Sequence, residues 1–193
     1  MARRGLLAFT AIAATFSWLC LAGIAHGGVI TAATTSHKSF VSLQEHDALV
    51  KALSDSIRTR EEKQLVVLRR KVSQSHCVRP QQYKSGGLSL DVSKLTRLIS
   101  VGEADKGELP ADESYSPLTR VVDVQAFASM ETLVDALLPL GLVPAVVPEF
   151  KGITVGGSMQ GLAAESSSFR LGFVHDAIVG FEVILGDGRV LWW

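Results

Sequence analysis

The chain has 193 residues, with 19 basic and 19 acidic side chains and therefore a formal net charge of zero. At roughly 150 residues per domain, this length predicts one domain with at most a short appendage. A neutral chain lacks the excess of positive charge that phosphate backbones attract, so we expect no nucleic-acid partner. Hydrophobic residues make up 47% of the chain, and many of them are concentrated at its beginning.

The N-terminus combines two arginines with a long apolar run. Arg3 and Arg4 precede residues 5–25, which contain no charged side chain. A basic start followed by an apolar stretch is typical of secretory targeting, and about 20 apolar residues also span a bilayer. We therefore predict that residues 1–28 form an apolar helix that is a transmembrane anchor or, alternatively, a signal peptide.

The next segments are a linker and a helix. Residues 29–41 are small, polar and unpatterned, and they predict a linker. Ser42 and Glu45 have the spacing of a capping box, and apolar residues at helical spacing then predict an amphipathic helix over residues 43–62. His46 lies on the apolar stripe of this helix, where a packed histidine is expected more often than a ligand.

The remaining pattern is mixed α and β. Short β-prone runs, separated by polar or acidic loops, predict strands at 65–68, 88–91, 95–101 and 118–127. Ser129 is placed to cap a helix that ends before Pro139. A hairpin follows, with strands at 177–185 and 189–192. The two cysteines, Cys20 and Cys77, are too few for a disulfide scaffold or a cysteine-based metal site.

A glycine pair marks the segment that is most informative about function. Gly156 and Gly157 follow a short extended run and precede a helix-compatible stretch. Glycines at a helix start allow a ligand to approach the backbone, and free N–H groups there favour an anion. Ser166–Ser168 add hydroxyl donors and Arg170 adds positive charge, so the segment suits a pyrophosphate. The alternative is a packing or turn role for the glycine pair. Neither a Walker loop nor the dinucleotide fingerprint G-x-G-x-x-G is present.

The run from residue 142 to residue 191, which includes VVPEFKGITVGGSMQGLAAESSS, resembles the FAD-binding domain of the PCMH type, found in the vanillyl-alcohol oxidase family. It is most similar to the Δ24-sterol reductase (seladin/diminuto-like) branch of that family. The resemblance implies an α+β fold with two small α/β subdomains, over residues 42–193. It also implies that the cofactor-binding residues include Thr154, Val155, Gly156, Gly157, Gly161, Glu165, Ser166, Ser167 and Ser168.

A second, thinner part of the resemblance concerns the loop at residues 75–84, where the family places its first nucleotide-contacting loop. This implies further cofactor contacts from His76, Val78 and Arg79. The loop lacks the Gly-Gly-Gly-His run of family members with covalent flavin, so the implied cofactor is non-covalent FAD. In a full-length enzyme, the resemblance implies NADPH as electron donor and a sterol as substrate. With the apolar N-terminus, it implies a single-pass protein of the endoplasmic reticulum membrane, or a secreted protein after cleavage.

The main departure from the family is the missing substrate-binding domain, which follows the Asp187-Gly188 hairpin in the family. We therefore expect the chain to be the N-terminal fragment of a longer protein, and we nominate no catalytic residue and no metal site. Enzymatic activity of the chain itself is not predicted either way. Two alternatives to the reductase function remain open. One is another flavin oxidase of the same family, acting on a sugar lactone or an alcohol. The other is a non-catalytic, membrane-tethered or secreted α/β binding module.

Overall fold

The computed structural model describes residues 12–21, 30–31, 39–70, 85–103 and 118–193. In these segments the chain forms nine strands, four α-helices and two short 3-10 helices. The strands are β1 (Ile12–Leu21), β2 (Ile30–Thr31), β3 (Val66–Arg69), β4 (Leu88–Asp91), β5 (Leu98–Glu103), β6 (Leu118–Gln125), β7 (Val143–Pro144), β8 (Ile178–Ile184) and β9 (Val190–Trp192). The α-helices are α1 (Leu43–Arg58), α2 (Met130–Leu137), α3 (Val155–Gln160) and α4 (Ser168–Leu171). The 3-10 helices are Leu138–Leu140 and Val174–Ala177.

Helix α1 packs on a two-stranded parallel sheet formed by β3 and β4. The helix begins as predicted, because the Ser42 hydroxyl accepts a hydrogen bond from the Glu45 N–H at 3.1 Å and satisfies one of its first amides. It ends at Arg58, four residues earlier than predicted. Its apolar face is buried in a cluster with side chains from and after β4: Val50, Leu53, Ile57, Leu90, Val92 and Leu95.

The larger sheet has the strand order β2-β5-β6-β1-β8-β9, with β7 also paired to β1. Its pairings are antiparallel. Helix α2 begins at the predicted cap, where the Ser129 hydroxyl accepts a hydrogen bond from the Thr132 N–H at 3.1 Å. Side chains from α2, β5 and β6 form the main core, which includes Leu98, Val101, Val122, Val124, Leu133 and Leu137. The mixed α and β content is as the sequence predicts.

At the N-terminus the structure differs from the predicted apolar helix. Ile12–Leu21 is a strand that pairs with β6 on one side and with β8 on the other. Periodicity cannot distinguish a largely apolar strand of this length from a segment of a buried or membrane-spanning helix. Within the described segments, no helix is both long enough and apolar enough to cross a bilayer.

The predicted linker at residues 29–41 is also structured in part. Ile30–Thr31 pairs with Val101 and Ser100 of β5. Phe40 and Val41 are only 2% and 1% exposed, and Phe40 forms a bridge with Leu98. These residues are therefore ordered against β5, and the burial of Phe40 and Val41 stabilises this arrangement.

Candidate functional site

The glycine pair lies in the first turn of helix α3, and Thr154 caps that helix. Thr154 has extended backbone angles, with φ −87° and ψ 153°, and its Oγ1 accepts a hydrogen bond from the Gly157 N–H at 3.2 Å. Its backbone is joined to Ser129, the cap of α2, by an isolated bridge. The two helix starts therefore lie side by side. Val155, expected to be extended, is already the first helical residue.

The amides at the start of α3 are engaged within the protein. The Val155 N–H donates to the Ala128 carbonyl oxygen at 2.9 Å, and the Gly156 N–H donates to the Ala126 carbonyl oxygen at 2.8 Å. With the third amide bonded to the capping threonine, the expectation of free N–H groups for an anion is wrong. Ala126 and Ala128, which follow β6, have small side chains. The start of α3 can therefore approach them closely enough for its amides to bond to their carbonyl oxygens.

The two glycines therefore have different surroundings. Gly156 is buried and Gly157 is exposed. A Cβ atom on Gly157 would lie 2.9 Å from Thr154 Oγ1, the atom that caps the helix. Gly161 is exposed at the C-terminal end of α3, where a Cβ atom would lie 3.0 Å from the Gly157 carbonyl oxygen. Gly156 has the packing role that the sequence left as an alternative, whereas Gly157 leaves the surface open for a ligand.

Two of the residues nominated in the serine-rich turn hold that turn in place. The Glu165 carboxylate accepts a hydrogen bond from the Glu149 N–H at 2.7 Å. The Ser167 hydroxyl donates to the Ala145 carbonyl oxygen at 3.1 Å. Both bonds tie the turn to the segment that precedes α3. Glu165 and Ser167 therefore position the turn, and the Ser167 proton is donated within the protein.

The other hydroxyls near the helix are available to donate. A hydroxyl has one proton to donate and can also accept. Ser168 accepts from the Glu165 N–H at 2.9 Å, and Thr154 accepts from Gly157, so both keep their protons. Ser166 is exposed and has no hydrogen bond to another described residue. Arg170 is also exposed, and no described carboxylate pairs with it. Three hydroxyl donors and one cation therefore lie at the cap of α3 and in the segment that follows this helix.

The turn that carries these serines is fixed to the C-terminal end of α3. The Ala163 N–H donates to the Ser158 carbonyl oxygen at 3.1 Å, and the Val174 N–H donates to the Ala163 carbonyl oxygen at 3.0 Å. Gly172 then reverses the chain with φ +71°. The structure thus brings together the nominated residues from 154 to 168. His76, Val78 and Arg79 lie outside the described residues.

His175 and Asp176 lie in the 3-10 helix Val174–Ala177. The Asp176 carboxylate accepts a hydrogen bond from the Phe173 N–H at 2.8 Å. The ring of His175 lies 3.4 Å from that carboxylate and stacks on Phe173 with the ring centroids 5.8 Å apart. Asp176 therefore caps the start of this 3-10 helix.

Comparison with known proteins finds Delta(24)-sterol reductases and an oxidase among the relatives of this chain. A Delta(24)-sterol reductase from Pisum sativum is 28% identical over 158 residues, which are 80% of this chain and 25% of the relative. The Delta(24)-sterol reductase from Rattus norvegicus is 35% identical over 69 residues, 36% of this chain and 13% of the relative. A decaprenylphosphoryl-beta-D-ribose oxidase from Mycolicibacterium smegmatis is 29% identical over 152 residues, 79% of this chain and 29% of the relative. No solved structure matches the chain.

The chain thus spans about a quarter of the length of the pea enzyme. The model of the FAD binding domain family matches residues 38–193, a range that includes α3, the serine-rich turn and the hairpin of β8 and β9. The chain therefore belongs to the FAD binding domain family of the PCMH type.

Proposed function

We propose that the chain binds FAD non-covalently beside helix α3. In this proposal the hydroxyls of Thr154, Ser166 and Ser168 donate to the diphosphate and its neighbouring ribose, and Arg170 supplies positive charge. The observation that carries the proposal is the presence of these three hydroxyl protons without an acceptor among the described residues. Hydrogen bonds to ionised oxygens are shorter and stronger than those between neutral groups, so hydroxyl donors suit a diphosphate.

The spacing of the donors fits a dinucleotide better than a single phosphate. Thr154 lies at the N-terminal end of α3, and the serine-rich turn is attached at the C-terminal end. The helix has six residues, so at about 1.5 Å per residue its ends are about 9 Å apart. One phosphate group cannot contact both ends, whereas an extended cofactor can. Gly157 and Gly161 lie on the exposed surface between these ends.

A second part of the site is proposed on the loop at residues 75–84. His76, Val78 and Arg79 are the residues that would contact the nucleotide there, as the family resemblance implies. With β4 following this loop, its contacts would come from the unit formed by α1, β3 and β4. The contacts around α3 would come from the unit built on the larger sheet.

For the whole protein, we propose oxidoreduction of the Δ24-sterol reductase type. Bound FAD supplies hydride and electron transfer, and the protein contributes binding, orientation and exclusion of competing reactions. The role of this chain is to hold and orient the cofactor. Relatives named Delta(24)-sterol reductase support a sterol side-chain C24 double bond as the substrate group, and NADPH is the proposed electron donor.

A second candidate function is an oxidase of the same family. The mycobacterial relative, named for the oxidation of a phosphoryl-linked ribose, covers 79% of this chain at 29% identity. That is about the same coverage as the pea reductase. In this alternative the cofactor site is unchanged and the substrate is a sugar or another alcohol.

Localisation is also proposed from the sequence. The charge-free run at residues 5–25 would anchor the protein in the endoplasmic reticulum membrane, or would direct it to secretion and be cleaved. Ten residues of that run form β1 in the structure. A segment cannot lie in a bilayer and in the sheet at the same time, so the two uses exclude each other.

The test of the binding proposal is titration of the purified chain with FAD, ADP and riboflavin, followed by flavin fluorescence and calorimetry. We expect FAD to bind and ADP to compete with it, because both carry the diphosphate, and riboflavin to bind much more weakly. If FAD does not bind, the proposal is wrong and the non-catalytic binding module is favoured. For the whole protein with FAD bound, turnover of a C24-unsaturated sterol with NADPH, compared with turnover of a sugar lactone, then distinguishes the reductase from the oxidase.

A further inference from the structure

Three buried polar side chains lie outside the cofactor site. His46 on α1 is 2% exposed, Gln125 on β6 is completely buried, and Glu182 on β8 is 8% exposed. Buried polar groups are costly unless they are hydrogen-bonded, so such a cluster requires partners for its members. These three residues satisfy one another.

The hydrogen bond between Arg97 and Gln125 determines which group donates in each of the other bonds of this cluster. The Gln125 Oε1 atom accepts from the Arg97 backbone N–H at 3.0 Å, which places its Nε2 group as the donor to His46 Nδ1 at 3.1 Å. His46 Nδ1 is therefore an acceptor, and its Nε2 donates to the Glu182 carboxylate at 3.2 Å. Each group therefore donates to the next one, from Arg97 to Glu182, and no donor faces another donor.

This chain of hydrogen bonds crosses over the central strand. Thr15 of β1 is the residue opposite Gln125 on one side and opposite Glu182 on the other. In the described part of the sheet, β6 and β8 pair with β1 and not with each other. His46 thus joins two strands that are two strand spacings apart, about 10 Å.

Both flanking strands are also held by contacts that do not involve β1. On β6, Val122 and Val124 are buried in the main core with α2. On β8, Ile184 is buried in the core of α1 and β4. The slot between β6 and β8 therefore has walls that are fixed by α1, α2 and the His46 bridge.

We propose that Gln125, His46 and Glu182 form a clamp that holds open a slot one strand wide, and that the apolar segment Ile12–Leu21 is its detachable occupant. Docked in the slot, the segment is the central strand of the sheet. Released, it is a charge-free apolar tail, for which a bilayer is the favourable environment. The clamp then determines whether the segment is part of the sheet or is released to a bilayer. This inference is independent of FAD binding, which involves other residues.

Amide hydrogen exchange of the full chain tests the clamp. His46→Leu removes both hydrogen bonds of the ring and leaves the Gln125 Nε2 group and the Glu182 carboxylate buried without that partner, so we expect exchange of the β1 amides to accelerate about tenfold or more. His46→Gln can accept from Gln125 and donate to Glu182, and it should restore slow exchange. The matched control is Ile57→Val, which weakens the packing of α1 and leaves the clamp intact. Exchange at the start of α3 should stay unchanged in all three variants.

Neutral phosphatidylcholine vesicles supply a second readout. We expect the His46→Leu chain to bind the vesicles more strongly than the wild type, with His46→Gln resembling the wild type. If His46→Leu does not fold, Gln125→Met breaks one side of the clamp and should give the same differences at smaller size. The proposal is overturned if wild-type β1 amides exchange as fast as those of an unfolded chain. It is also overturned if the folded clamp variants match the wild type in both β1 exchange and vesicle binding.

Discussion

The Gly156 N–H donates a 2.8 Å hydrogen bond to the Ala126 carbonyl oxygen. This bond attaches the start of α3 to the end of β6 and removes an amide that a ligand would otherwise use. The adjacent residue, Gly157, faces the surface instead. The glycine pair therefore combines one buried residue with one exposed residue.

The two glycines should respond differently to substitution. Gly156→Val adds a side chain at a buried position, and overpacking of this kind costs about 1–3 kcal/mol of stability. Gly157→Val should also cost stability, because its Cβ atom would lie 2.9 Å from the capping Thr154 Oγ1, and it should in addition lose FAD affinity because the new side chain covers the exposed turn. Thermal unfolding and flavin titration of both variants separate the effects. Unchanged FAD binding by a folded Gly157→Val chain would refute this expectation.

The free hydroxyls should be measurable as donors to FAD. Ser166→Ala and Ser168→Ala each remove a hydrogen bond to a charged group, worth about 1.5–3 kcal/mol, and should raise the Kd for FAD about tenfold or more. Ser158→Ala is the matched control, since that hydroxyl is buried and donates to the Thr154 carbonyl oxygen at 3.0 Å. The assignment of these hydroxyls as donors to FAD is contradicted if Ser158→Ala weakens FAD binding as much as Ser166→Ala does.

Thr154 combines capping with a proposed contact to the cofactor. Thr154→Ser keeps the hydroxyl, whereas Thr154→Val removes it and leaves the start of α3 without its cap, at a cost of about 1 kcal/mol. We expect Thr154→Val to lower both the melting temperature and the FAD affinity, and Thr154→Ser to lower neither. A wild-type Kd in a folded Thr154→Val chain would exclude the cofactor contact.

Gly172 is required by the backbone where the serine-rich segment ends. Its φ is +71°, and a Cβ atom there would lie 2.9 Å from the Cβ atom of Asp176 and closer still to the carboxylate. Gly172→Ala should therefore destabilise the chain by more than about 1 kcal/mol. Chemical denaturation measures the change. Gly161→Ala, at a glycine with negative φ, is the comparison and should cost less.

The β8–β9 hairpin contains a carboxyl group with a lowered pKa. The backbone N–H of Arg189, followed by its side chain, holds the pKa of Asp187 below its ordinary value. A lowered pKa in the folded state means that the contribution to stability is present above the unfolded value of about 3.9 and is lost as the pH falls through the folded pKa. An NMR titration should show Asp187 ionising below an unfolded peptide control. A value at or above the control would contradict this.

Helices α1 and α2 were predicted well from the sequence because their signals are local. Ser42 and Ser129 are the observed caps of α1 and α2, and the apolar periodicity placed the buried faces correctly. The role of residues 12–21 was not predictable in this way. Partners of a central strand come from distant parts of the chain, here from β6 and β8, and an unbroken apolar run is compatible with several environments.

The sequence motif indicates the segment in which we propose the cofactor site, but not the different contacts that its residues make in the structure. The motif indicated the residues from 154 to 168, which the structure brings together. Spacing alone could not show that Glu165 and Ser167 are used to hold the turn, because their partners, Glu149 and Ala145, are defined by the fold. The small residues at 126 and 128 were the available signal that α3 would pack closely there. The hydrogen bond between His46 and Glu182 joins residues that are 136 positions apart, so no local sequence pattern indicates it.

The most direct test of the account is calorimetric titration of FAD into the full chain and into the double variant Ser166→Ala/Ser168→Ala, with unfolding curves recorded for both. The account predicts saturable FAD binding by the wild type, and at least about tenfold weaker binding by a double variant of equal stability. The account is contradicted if the folded wild-type chain does not bind FAD, or if the double variant binds FAD with unchanged affinity.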